Sequence, residues 1–120
     1  MRVLLANKPR SYREAFARVF EEVRQRVEAI VVEPGALDRE ALRLRPDLVV
    51  CDRVTPTVEA VARSWIELRV EDEVLVASSN AGALPAGTNL GLDDLLSVID
   101  RTEELVNGES LGQGKAGPVG

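Results

Sequence analysis

The chain has 120 residues, of which 45% are apolar, with a formal net charge of −5, one cysteine and no histidine. That length and apolar content describe one globular domain able to bury its own core, not a disordered segment. The missing histidine excludes Ser-His-Asp and Cys-His catalysis and the commonest zinc sites. The lone cysteine excludes an internal disulfide and a Cys-x-x-Cys site, and the negative charge argues against nonspecific nucleic-acid binding.

Taken in chain order, residues 2–6 (RVLLA) are an unbroken apolar run, the pattern of a strand buried on both faces of a parallel sheet. The opening MRVLLANKP turns polar too early for a signal peptide, and no apolar run reaches the length of a membrane span, so a cytoplasmic location without a membrane partner is expected. Ser11 and Glu14 have the spacing of a capping box. Tyr12, Phe16, Val19, Phe20 and Val23 then recur at helical spacing, predicting a helix that ends near Arg26.

Residues 28–33 (EAIVVE) read as a second strand, broken by Pro34 and Gly35. Leu37, Ala41 and Leu44 predict a short helix over 36–44, stopped by Pro46, and 47–52 (DLVVCD) are a third apolar strand ending in a carboxylate. Strand, helix, strand, helix, strand is the pattern of βαβ crossovers. Val58, Val61, Ala62 and Trp65 fit a helix, whereas Ile66, Leu68 and Val70 fit a half-buried strand. A short helix giving way to extended chain near Trp65 is expected. Residues 74–78 (VLVAS) are a strand. If 65–70 is one too, the pair forms a hairpin through Glu71-Asp72 with the first strand as an antiparallel edge. Residues 79–91 are loop by composition. Leu92, Leu95, Leu96, Ile99 and Val106 predict a last helix ended by Asn107-Gly108. The domain is expected over 1–107, followed by a disordered Gly-rich tail over 108–120.

Two stretches, RVLLANKPRSYREAF and RPDLVVCDRVTP, resemble the receiver domains of bacterial response regulators, whose first strand and acidic turn are often written RVLLADDHP and whose third strand is written PDLVLLDxxMP. VLVASS and LDDLLSVID are weaker matches, and the likeness spans about residues 2–106. The resemblance implies an α/β flavodoxin-like, three-layer fold with a mostly parallel sheet in the order 2-1-3-4-5, remodelled over 65–91. It also implies a site beyond the carboxyl ends of the strands, where Asn7, Lys8, Asp52 and Ser78 would converge.

Working receivers phosphorylate themselves on the strand-three aspartate. Two further carboxylates help hold a Mg²⁺ that neutralises the transferring phosphoryl group, and a hydroxyl and a lysine then read the switch. In this chain Asp52 matches the phosphoacceptor and Ser78 the switch hydroxyl, with Ser79 as its substitute. Asn7 and Lys8 replace the acidic pair, and Thr88 and Asn89 stand where the lysine belongs. The stretch between Ser78 and the last helix is too short for the family's fourth helix and fifth strand. Lys8 is expected to pair with Asp52 in place of the metal, beside Arg53 in the same pocket.

Cys51 reads as a buried core residue. Glu21-Glu22 and Asp93-Asp94 are adjacent residues on helices, which point in different directions and form no acid/base couple. Gly82, Gly87 and Gly91 match no phosphate-binding loop. Trp65 reads as core or interface. The expectation is a degenerate receiver-like module without enzymatic activity or cofactor, acting through a protein partner, with a homodimer through 65–91 as one form of that partnership. Two alternatives stand beside it. One is an atypical receiver that uses Mg²⁺ and is phosphorylated on Asp52. The other is a small-ligand binder at the carboxyl end of the sheet, which would need a concave pocket next to Asp52.

Overall fold

The structure is a computed structural model describing residues 1–71, 74–81 and 91–116, with the side chains of 70, 71, 74, 75 and 109–116 left aside. Its elements are β1 (Arg2–Leu5), α1 (Arg10–Val23), β2 (Glu28–Val31), a single 3-10 turn (Pro34–Ala36), α2 (Leu37–Leu44), β3 (Leu48–Cys51), α3 (Pro56–Val61), β4 (Ser64–Glu71), β5 (Val74–Ser79) and α4 (Leu92–Ala116). The strands form one sheet in the order β2-β1-β3-β4-β5. β1 pairs parallel with β2 and β3, and β3 pairs parallel with β4, while β5 runs antiparallel to β4. The order 2-1-3-4-5 agrees with the flavodoxin-like layout expected from the sequence.

Alternation along the strands divides the core between the two faces of the sheet. Val3, Leu5, Leu48, Val50, Ile66, Leu68 and Ala77 pack with Ala17 and Phe20 of α1 and with Leu95, Leu96, Val98 and Ile99 of α4. Leu4, Ala6, Val49 and Cys51 pack on the opposite face with Leu37 and Ala41 of α2 and Val58 of α3. β1 and β3 are covered on both faces, which is why they read as continuous apolar runs.

Several boundaries differ from the sequence reading. α1 begins at Arg10 with Pro9 as its cap and no side-chain cap, so Ser11 and Glu14 form no capping box. The first turn closes instead on the Pro9 carbonyl, which accepts from the Tyr12 N–H at 3.0 Å, and Glu14 pairs with Arg10 at 2.7 Å. α1 ends at Val23, where Arg24 turns extended. The expected change from a short helix to extended chain falls between Val61 and Ser64, which leaves Trp65 within the strand.

The hairpin of 64–71 and 74–79 forms, but its edge is reversed. β4 joins β3 through Leu48↔Ser64 to Cys51↔Glu67, and β5 is the antiparallel edge. Burial decides this: Ile66 and Leu68 are fully buried, as an interior strand requires, whereas Ser78 is exposed. Asp72 and Glu73 lie outside the described residues, as do Thr88 and Asn89. Finally, α4 runs past the stop expected at Asn107-Gly108, to Ala116. Gly108 does not take up the left-handed backbone that a helix stop of this type requires. Residues 117–120 lie outside the described residues. No helix among the described residues is long and apolar enough to cross a membrane.

Candidate functional site

The strand order reverses between β2-β1 and β3, and the crevice beyond the carboxyl ends of β1 and β3 is where ligands bind in open α/β sheets. Two hydrogen bonds close the ladder at this end. The Ala6 N–H donates to the Val50 carbonyl at 2.8 Å, and the Lys8 N–H donates to Asp52 Oδ1 at 2.8 Å. β1 and β3 therefore bring Lys8 and Asp52 together, but through the backbone of Lys8. The expected ion pair is not formed, since no Lys8 ammonium–Asp52 carboxylate contact lies within 4.0 Å. The lysine side chain is exposed, while the half-buried carboxylate is held by a main-chain donor that substitution at position 8 would leave in place.

A pocket of about 400 Å³ opens here, lined by Lys8, Asp52, Arg53, Asp38 and Thr55 over a floor that includes Ala6, Leu37 and Cys51. Thr55 fixes its wall. Its hydroxyl donates to Asp38 Oδ1 at 2.6 Å and accepts from the Val58 N–H at 3.1 Å, capping α3 and tying it to α2. Glu67 Oε2 accepts from the Val54 N–H at 3.0 Å, tying the loop after β3 to β4. Burial, followed by the charges of Glu67 and Asp52, pushes the Cys51 thiol up to about 12. Cys51 is thus a neutral buried thiol, the core residue its position in β3 suggested.

Asn7 and Arg13 form the inner side of this end of the sheet. Asn7 is fully buried, and neither atom of its amide has a hydrogen-bond partner in the protein. Arg13 is almost fully buried, donating to Glu33 Oε2 at 3.0 Å and to the Asn7 carbonyl at 3.4 Å. Arg13 was not singled out from the sequence. It could have been found there, because positions 13, 17 and 20 share one helical stripe with the buried Ala17 and Phe20.

Ser78 and Ser79 are not brought to this pocket. Ser78 is level with Glu67, which is in turn level with Cys51. A carboxylate-bearing residue of β4 thus separates Ser78 from the strand that leads into Asp52, and the two strand spacings amount to about 10 Å. The Ser79 hydroxyl accepts from the Ala81 N–H at 3.0 Å, a local turn contact. Arg53 is exposed at the pocket rim. Among the described residues no three His, Cys, Asp or Glu side chains cluster to hold a metal ion. No protein-family model matches this chain, nor does any curated protein or solved structure.

Proposed function

We propose that the chain is a receiver-like signalling module, cytoplasmic and without enzymatic activity, that acts by protein contact and does not take up phosphoryl groups by the Mg²⁺ route. The observation that carries this reading is the engagement of Asp52 Oδ1 by the Lys8 main chain. A phosphoacceptor of that family needs its carboxylate turned toward a metal and flanked by acidic oxygens. Here one flanking position is the buried amide of Asn7, the other is a lysine, and Glu67 stands level with the end of β3 where a hydroxyl is wanted. A fixed negative charge at that level repels an incoming phosphoryl group. The test is incubation with Mg²⁺ and a small acyl phosphate, followed by intact mass measurement. The reading expects an unmodified chain. A phosphoryl adduct that disappears in Asp52→Asn would replace it with the atypical phosphoacceptor.

A second reading is favoured by one specific observation, the concave pocket of about 400 Å³ next to Asp52. That volume falls within the range of small-molecule sites. On this reading a small polar ligand sits between Arg53 and Asp38. Metal-independent binding that Arg53→Gln and Asp38→Asn each weaken would favour it over the interaction module.

A further inference from the structure

The two edges of the sheet are built differently. β2 is four residues long, begins with Glu28 in an ion pair with Arg2 at 3.0 Å, and is followed by Glu33-Pro34. Short length, charge and proline are the devices that keep an edge from pairing with other chains. β5 has none of them. Its six residues, VLVASS, contain no charge, proline or glycine. They are paired with β4 along the whole inner side, and no strand among the described residues pairs with the outer side. A strand of this kind presents a row of backbone donors and acceptors ready for a partner strand.

We propose that β5 pairs antiparallel with β5 of a second copy of this chain, about a two-fold axis centred on Ala77, so that the two sheets become one. The proposal rests on the protein-contact reading above and names the partner. Ala77 packs with Ile66 and Leu68 against the α1/α4 side. A continuous sheet keeps that side common to both copies, which requires the axis to pass through a residue and not between two.

Overlap and charge together select which residue, since an axis at Ala77 pairs 75–79 of the strand whereas one at Leu75 pairs only 74–76. Arg69 is level with Val76, and Glu67 with Ser78. With the axis at Ala77, each row crossing the interface on the opposite face runs from Arg69 through Val76 to the partner's Ser78 and the partner's Glu67. Each row thus carries opposite charges at its two ends and opposes no like charges. With the axis at Val76, the same row would end in arginine at both sides. The small side chain of Ala77 on the axis also suits close approach of the two backbones.

Sedimentation velocity over a range of concentrations tests the proposal, with Trp65 emission and circular dichroism as checks on folding. The wild-type chain is expected to dimerise. Val76→Lys with Ser78→Lys sets two lysine pairs opposite each other and is expected to weaken the dimer on the order of tenfold. Val76→Lys with Ser78→Glu sets opposite charges in the same rows and is expected to restore it. Val76→Glu with Ser78→Glu, which sets two glutamate pairs opposite each other in the same rows, serves if the lysine double variant does not fold. A wild-type chain that stays monomeric throughout overturns the proposal, as does a dimer indifferent to the lysine variants. Equal loss in the lysine–lysine and lysine–glutamate variants overturns the Ala77 register. The two readings fail separately. A monomer that resists phosphorylation removes only the dimer, whereas a dimer that accepts a phosphoryl group on Asp52 removes only the unphosphorylated module.

Discussion

The parallel half of the sheet, β2-β1-β3, and the β4–β5 hairpin solve different problems with strands of the same chain. In the first, β1 and β3 are covered by helices on both faces, and their residues from Val3 to Leu5 and from Leu48 to Cys51 are all buried. In the second, Ile66, Leu68 and Ala77 face α4 and are buried, while Glu67, Arg69 and Ser78 on the other face are half-buried or exposed. The parallel half therefore positions the site on fully buried strands and reads as apolar runs. The hairpin keeps a polar face and an outer edge that no strand among the described residues pairs with, and reads as alternation. The placement of Asp52 and the unpaired edge among the described strands are therefore separate features, each open to its own perturbation.

The largest expected effect lies in the parallel half. Leu5→Ala removes a fully buried side chain from β1 and is expected to cost about 2–5 kcal/mol in chemical denaturation. Val76→Ala on the half-buried outer strand is expected to cost under ~1 kcal/mol. Similar losses at the two positions would break the comparison.

Cys51 sharpens it with pH. Its thiol is pushed up to about 12 in the folded chain, whereas an unfolded thiol titrates near ~8.5. The folded state therefore holds the proton more tightly. The stability this contributes is complete below the unfolded value and is lost as pH rises from there through the folded one. Stability should fall over that alkaline window more steeply in the wild type than in Cys51→Ala, and equal slopes would contradict the burial of the thiol. Next in size is Thr55→Ala, which removes the cap of α3 and its tie to Asp38. A loss of about 1 kcal/mol is expected by denaturation, with changes in amide shifts confined to the pocket wall.

The smallest effect is expected at Arg13. This buried cation has as its ionic partner Glu33, whose side chain is 70% exposed, so Arg13→Met gives up little attraction and relieves desolvation. Stability should be unchanged or slightly raised. A large loss would mean that the guanidinium organises this end of the sheet.

The parallel half was legible because continuous burial writes itself into sequence as unbroken apolar runs, and Pro34, Gly35 and Pro46 punctuate them. The hairpin was legible only as an alternative, since Val58 to Trp65 fit a helical period and Ile66 to Val70 a period of two. Which strand became the edge depended on pairing with β3, a nonlocal choice. Asn107-Gly108 resembled a helix stop, but a glycine stops a helix only by leaving the helical backbone, and Gly108 does not. At the site, the meeting of Lys8 and Asp52 was legible from the strand ends, but its chemistry was not. A residue name specifies a side chain, and the group that reaches Asp52 is the main-chain N–H that every residue except proline carries.

That N–H reports directly on how Asp52 is engaged. In an isotope-labelled sample, the Lys8 amide resonance should be shifted by its hydrogen bond to the Asp52 carboxylate and should lose that shift in Asp52→Ala. On addition of Mg²⁺ and then beryllium fluoride, a mimic of an aspartyl phosphate, the account predicts that the Lys8 amide stays where it is. Movement of that resonance together with those of Asp52 and Ser78 would contradict the account and assign the chain a working phosphoacceptor.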